Sequence, residues 1–240
     1  DINHIDRILF KYKKKIKTIF HFGEFARIHQ SFFYLKKCFN SNISGTSKVL
    51  TFCVENKIKI IYSATSASLG NKGSDQSLSP YAYSKSRNLK LLMHLNKWFG
   101  LNFEILYFYN VYGPRHIKTG TMATVIGIFE DQYEKKKPIT VVRPGTQSRK
   151  FTHISDTIEG CYYAWKRNKN RQYNLSNTKS YSILSVARMF SDNIRIIKNR
   201  LGERKKSATV NRIGALKIYN YSCKSNLKDY IYKFKRSLAK

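Results

Sequence analysis

The chain has 240 residues, 42% of them hydrophobic and 14% aromatic, which allows one large core or two small ones and excludes a disordered polymer. Its 45 Lys and Arg against 14 Asp and Glu give a formal net charge of +31, but the lysines are spread along the whole chain, so they read as a solvated basic surface. A nucleic-acid partner is therefore not expected; the basic segment 195–240 is where one would bind.

No apolar run reaches the roughly 18 residues of a membrane span, and the opening DINHIDRILFKYKKK lacks an apolar signal core with a small-residue cleavage site. The four cysteines, Cys38, Cys53, Cys161 and Cys223, stand far apart with no histidine at ligand spacing. Neither a metal site nor a disulfide framework is indicated, and a cytoplasmic chain with reduced thiols is expected.

Along the chain, the first strand-length apolar burst is KTIFHF (17–22), followed by Gly23; the second is IKIIYSAT (58–65) and the third FEILYFY (103–109). Between the first two, residues 42–56 have helical apolar spacing, with Val49 and Cys53, and Leu50 and Val54, one turn apart. Between the second and third, 83–99 reads as a long helix with Leu89, Leu92, Met93, Leu95 and Trp98 toward one side. Apolar strands that barely alternate, joined by helices of this length, predict an α/β fold built on a doubly wound parallel sheet. Ligands bind such sheets at the carboxyl ends of the strands, here Phe22-Gly23, Ser63 to Ser66, and Phe108 to Asn110.

From Val111 the texture changes: a Tyr-Gly-Pro-Arg turn, a helix over about 122–135, a strand ITVV, a turn at Gly145, then RKFTHISD leading into another helix. QYNLSN reads as a further strand and 183–197 as a helix. Residues 1–110 are expected to form one domain. Residues 111–240 form a smaller α+β region, with some segments returning to the first layer.

The strand end at Ser63-Ala64-Thr65-Ser66 is followed by a helix opening on Tyr81-Ala-Tyr-Ser-Lys85. With 17 tyrosines in a lysine-rich chain, the spacing Tyr-x-x-x-Lys alone means little, and it occurs three times, at 81/85, 133/137 and 162/166. Only Tyr81 and Lys85 open a helix just beyond a strand-end loop of hydroxyls. Residues i and i+4 share a helix face, so Lys85 can place an ammonium near the Tyr81 phenol. A phenol with its usual pKa of about 10 is a poor base at neutral pH, and a fixed cation favours the phenolate. With a neighbouring Thr or Ser hydroxyl, the groups suit removal of a proton from a sugar hydroxyl while hydride leaves the same carbon.

The chain resembles the extended short-chain dehydrogenase/reductase group, the NAD-dependent sugar-nucleotide epimerases and dehydratases, of the UDP-glucose 4-epimerase-like kind. FHFGEFARIHQS resembles the family's fourth-strand segment, Asn42-Ile-Ser-Gly45-Thr46 its Asn-x-x-Gly-Thr helix start, and SPYAYSKSRN its catalytic segment. LYFYNVYGPR resembles its Arg-Tyr-Phe-Asn-Val-Tyr-Gly-Pro-Arg stretch, and PGTQSRKFTHISD its Gly-x-Gln-x-Arg-Asp-Phe nucleotide-contact segment. The resemblance implies a Rossmann-like sheet, NAD as cofactor, a nucleotide-sugar substrate and a homodimer. It assigns Tyr81 as acid/base, Lys85 as anchor of the nicotinamide ribose, and Thr65, or alternatively Ser66, as the hydroxyl partner. Phe22, Gly23, Asn42, Ser63 and Phe108 would line the cofactor, and Asp1 and Ile2 would meet its adenine. Asn110, Met122, Arg149 and Arg204 would hold the nucleoside diphosphate, for which guanidinium forks are suited donors.

The departures also carry expectations. Tyr107 stands where the family usually has arginine and Lys150 where it has aspartate, which removes local salt bridges; Glu24 follows Gly23 where a small or apolar residue is common, and is expected to alter the sugar pocket. No Gly-x-Gly-x-x-Gly or Gly-x-x-Gly-x-x-Gly occurs. The resemblance therefore implies an N-terminally truncated fold that lacks the unit carrying the pyrophosphate loop, and poor NAD binding by this chain alone. Dehydratases of the group carry an Asp-Glu pair after the strand-end threonine; here those positions are Ser66 and Ala67. Epimerisation at C4 of a UDP-sugar is the expected reaction, with a related reductase or decarboxylase, or a truncated basic binding protein without activity, as alternatives.

Overall fold

The computed structural model describes residues 2–69, 74–207, 212–213 and 216–239. Its strands in chain order are β1 (Thr18–His21), β2 (Lys59–Thr65), β3 (Phe103–Phe108), β4 (Val111–Tyr112), β5 (Ile139–Val142), β6 (Ser148–Lys150) and β7 (Thr152–His153). They continue with β8 (Gln172–Leu175), β9 (Ser180–Ser182), β10 (Ile194–Ile197), β11 (Arg212–Ile213) and β12 (Leu216–Asn220). The chain divides into two compact units.

The first unit comprises Asp1–Tyr107, Cys161–Asn174 and Ala208–Asn220. It is built on one sheet in the order β1-β2-β3-β8-β12-β11, with β1 parallel to β2 and β8 parallel to β12. Ile60, Ile61 and Tyr62 of β2 and Ile105, Leu106 and Tyr107 of β3 are fully buried. Consecutive residues of a strand point to opposite faces, so both faces of the sheet are covered, as in a doubly wound α/β layer.

The starts of β2 and β3 are tied to the turn before β8 by a buried carboxylate. Glu104 accepts Lys59 Nζ at 3.0 Å and the backbone N–H groups of Lys169, Asn170 and Arg171 at 2.8, 3.2 and 2.9 Å. At Tyr107, where a family arginine was expected, the phenol reaches Gln172 Oε1 at 2.5 Å in the interior.

Helix Pro80–Phe99 starts where Ser79 accepts the N–H of Ala82 at 3.1 Å, with Pro80 in the first turn, where its missing N–H costs nothing. It stops at Gly100, whose φ of 67° is the left-handed conformation glycine tolerates best. Its buried side begins polar, with Tyr81, Ser84, Lys85 and Asn88, and turns apolar at Leu89 and Leu92. Trp98, expected on the apolar side, is 60% exposed. The segment expected as a helix over 42–56 is a π-helical turn, Asn40–Gly45, running into helix Thr46–Glu55. Turns of this wider kind occur often at functional sites, and this one carries Asn42 inward.

The second unit comprises Phe108–Gly160, Leu175–Ser207 and Tyr221–Lys240. Parallel β5 and β10, with helices Val125–Glu134, Ile183–Phe190 and Leu227–Ser237, enclose a core that includes Ile126, Phe129, Val141, Val186, Phe190 and Ile231. β6 pairs antiparallel with β9, and β4 parallel with β7.

The expected helix over 183–197 is corrected here: it ends at Phe190, and Ile194–Ile197 is a strand on β5. Ser191 Oγ accepts the N–H of Asn193 at 3.1 Å, a local bond that competes with helix continuation. The β-branched isoleucines beyond it suit a strand.

Candidate active site

β2 delivers Ser63, Ala64 and Thr65 at its carboxyl end, and the short helix Ser66–Leu69 follows without a break. Thr65 is half-buried, and its Oγ1 accepts the N–H of Ala67 at 3.3 Å, leaving its own proton to donate. Ser66, the alternative hydroxyl, is buried.

Tyr81 is the second residue of helix Pro80–Phe99. Its N–H donates to the buried Ser31 Oγ at 3.2 Å, and its side chain packs with Phe25, Cys38, Ala67 and Ala82. Ala67 belongs to the turn that follows Thr65, so the tyrosine and the strand-end hydroxyl loop share one cluster.

Lys85, one helical turn further on, is 3% exposed. Its ammonium is ion-paired with Glu24, donates to the carbonyl of Ser63, and lies 4.6 Å from the centre of the Tyr62 ring.

Glu24 is the residue whose place was least expected. Its side chain is 2% exposed, and Oε1 accepts Thr46 Oγ1 at 2.9 Å, Asn88 Nδ2 at 3.0 Å and Tyr62 OH at 3.1 Å, while Oε2 takes Lys85. Thr46 in turn lies 2.8 Å from Nε2 of His21. Burial, opposed by Glu24 and reinforced by Lys85, holds the His21 imidazole below its ordinary pKa. Burial and the Glu24 charge push the Tyr62 phenol well above its ordinary value, against the hydrogen bond from Asn88. The loop that carries Glu24 is pinned by Asn42, which accepts Phe25 N–H at 2.7 Å and donates to Phe25 O at 3.0 Å and Ser84 Oγ at 3.1 Å.

Of the other residues expected to line a cofactor, Phe22 and Gly23 are exposed just past β1, and Ser63 donates its hydroxyl to His21 O at 3.1 Å. Ile2 rests on Gly45, where an added Cβ would come within 2.5 Å of its side chain, so the bare glycine makes room for it. Asp1 lies outside the described residues. Phe108 is half-buried and opens the second unit.

The residues expected to hold a nucleoside diphosphate all belong to that second unit. Asn110, at a positive φ of 27°, donates to Lys150 O at 2.8 Å; Met122 is half-buried. Arg149, on β6, is buried and ion-paired with Glu203; Arg204, the next residue, is also buried. The chain beyond it runs along β6, with Ser148 N–H donating to Lys205 O at 2.8 Å and Ser207 N–H to Ser148 O at 3.1 Å. Both arginines therefore belong to one short strand or to the chain that runs along it.

The competing Tyr-x-x-x-Lys pairs have other surroundings. Tyr162 is 54% exposed with Lys166 Nζ 5.5 Å over its ring, and Tyr133 packs against Phe190 and Phe234. Sequence reasoning missed His21, Thr46 and Asn88. The last had a readable signal, since Tyr81, Ser84, Lys85 and Asn88 recur at the three- and four-residue spacing of one helix face.

Residues 1–176 match the sequence profile of the NAD dependent epimerase/dehydratase family. The chain belongs to that family. It is 30% identical over 161 residues to a protein of Bacillus subtilis described as uncharacterized UDP-glucose epimerase YtcB, covering 63% of this chain and 50% of that one. It is 26% identical over 191 residues to the ADP-L-glycero-D-manno-heptose-6-epimerase of Fusobacterium nucleatum, covering 68% of this chain and 56% of that one. The chain thus spans about half the length of the curated relatives it matches.

Among solved structures, the UDP-glucuronic acid 4-epimerase of Bacillus cereus superposes with a TM-score of 0.83 at 26% identity over 99% of this chain and 80% of that one. The UDP-glucose 4-epimerase of Thermotoga maritima superposes at 0.84 and 18% identity over 100% and 83%, a likeness of fold. Among the described residues, no helix is long and apolar enough to cross a membrane.

Proposed function

We propose that the protein is an NAD-dependent epimerase that inverts a carbinol carbon, C4, of a UDP-sugar. The observation that carries this reading is the placement of Tyr81 and Lys85 on one helix face, with Tyr81 packed on the turn that follows Thr65. The residues present suit a nicotinamide ribose: an ammonium has three donors, Lys85 commits two of them to Glu24 and Ser63, and one is left for a ribose hydroxyl.

Held there by Lys85, NAD would supply a reversible hydride acceptor for the carbinol carbon. Tyr81 removes the proton from the sugar hydroxyl as hydride leaves and gives it back when hydride returns, while Thr65 donates a hydrogen bond to the same oxygen. Arg149 and Arg204 supply charge-assisted donors to the diphosphate, with Asn110 and Met122 of the same unit completing the set. Ser66 and Ala67, where the dehydratases of the family carry an acid and a base, favour epimerisation over elimination. The homodimer is carried by the family resemblance alone.

The reading is tested with Tyr81→Phe in the NAD-loaded protein. Turnover of a UDP-sugar panel should fall about 100- to 10,000-fold, the range of a lost general acid/base, with nucleotide-sugar affinity nearly unchanged. Tyr133→Phe and Tyr162→Phe should leave turnover as it was. Equal losses from all of them would overturn the assignment.

A further inference from the structure

A lysine that anchors a ligand hydroxyl needs its charge in the right place, but nothing in that role requires a second buried charge beside it. Here Lys85 and Glu24 are both nearly inaccessible, at 4% and 2% side-chain exposure. Removing an ammonium from water is costly unless it is paired and hydrogen-bonded. Glu24 meets that cost only because it is held from several directions: Thr46 from the start of one helix, Asn88 from the helix that carries Lys85, and Tyr62 from β2. His21 on β1 holds Thr46 in turn. The carboxylate is thus clamped by groups drawn from the strands and helices around the strand ends, and the ammonium is clamped to it.

We propose that Glu24 is the positioning residue of Lys85. It fixes the ammonium against the Ser63 carbonyl before any ligand arrives, balances its charge, and limits it to a single N–H for a ligand diol. The identity of that diol as the nicotinamide ribose rests on the function proposed above; the hold of Glu24 on Lys85 does not. A second buried lysine pair among the described residues, Lys59 with Glu104, stands at the opposite, amino ends of the strands and serves as an internal standard.

The test compares the parent chain with Glu24→Gln and Glu24→Asp. Each is treated without ligand with a lysine-acylating reagent, and the labelling rates of Lys85 and Lys59 are read by peptide mass spectrometry. Glu24→Gln should raise the rate at Lys85 about tenfold or more relative to Lys59. Glu24→Asp, which keeps the charge on a shorter arm, should bring it back to within a few-fold of the parent. A Lys85 as protected as Lys59 in both variants, or an equal rise at both lysines, overturns the inference.

In the NAD-loaded protein, Glu24→Gln should weaken NAD roughly tenfold, about 1.4 kcal/mol, and the same substitution should change NAD affinity less than twofold in a Lys85→Met background. An equal effect in both backgrounds, or tighter binding in the Lys85 background, overturns the positioning role. Should Tyr81→Phe leave turnover intact, the function proposed above falls, while the labelling comparison still decides whether Glu24 holds Lys85.

Discussion

Nε2 of His21 lies 2.8 Å from Oγ1 of Thr46, and because Thr46 gives its only proton to Glu24 Oε1, the imidazole is the donor of the pair. The ring therefore carries a hydrogen on Nε2, an arrangement dictated by the carboxylate two hydrogen bonds along the chain of partners. Lys85, Glu24, Thr46 and His21 form one buried polar thread from helix to strand.

That thread makes stability depend on pH in a defined direction. The fold holds His21 below its ordinary value of 6.5, chiefly through burial, so just below pH 6.5 the unfolded chain binds more protons than the folded one. The His21 contribution is complete above about pH 6.5 and is lost as pH falls from there toward the lowered folded value. The urea midpoint of the parent should therefore drop between about pH 7.5 and 5.5, and His21→Gln should show a shallower drop over the same window. His153, whose pKa is also lowered mainly by burial, is present in both proteins and cancels in the comparison. Identical slopes would refute the assignment.

Arg149 presents a separate test, in the second unit. Its guanidinium is buried, donates to Ser148 O at 2.9 Å and is ion-paired with Glu203, whose carboxylate is 28% exposed. Arg149→Ala should weaken UDP by about 10- to 150-fold, the equivalent of 1.5 to 3 kcal/mol for a charge-assisted hydrogen bond, and should lower the melting temperature, since a buried guanidinium and its ion pair are lost. Calorimetry with UDP reads the first and a thermal scan the second. UDP affinity that does not move would leave Arg149 with a structural role only.

What could be read from the sequence divides along physical lines. β2 and β3 were legible because buried parallel strands are nearly continuous apolar runs, β1 as a short apolar burst although it is only partly buried, and helix Pro80–Phe99 because Ser79, Pro80 and Gly100 punctuate it with local chemistry. The run 183–197 was misread because the break at Ser191–Asn193 is a side-chain bond within a polar stretch, and because β10 exists only through its pairing with β5, far away in the chain. Tyr81, Lys85 and Thr65 stood out by position relative to a strand end, a relationship visible in one dimension. Glu24 did not. Its inward turn depends on Thr46, Tyr62, Lys85 and Asn88 converging from separate elements, and no local pattern records that convergence. The pairing of Arg149 with Glu203 was hidden for the same reason.

The start of helix Pro80–Phe99 links local stability to the proposed chemistry. Ser79 satisfies the N–H of Ala82, and Tyr81 lies inside that first turn, so loss of the cap loosens the turn that aims the phenol. Ser79→Ala should cost about 1 kcal/mol, and because Ser31 and Ser84 still hold the backbone of Tyr81, the helix as a whole should persist. Asn226→Ala is the matched control: Asn226, in the second unit, caps helix Leu227–Ser237 by accepting Lys228 N–H at 2.9 Å. Both variants should lose similar stability in urea. Only Ser79→Ala should also lower kcat, by several-fold, with the KM for the nucleotide sugar unchanged, since the proton acceptor is displaced while the diphosphate groups are untouched. Equal kcat values in the two variants would show that the first turn does not set the position of Tyr81, and would shift that task to the packing of its ring against Phe25 and Ala67.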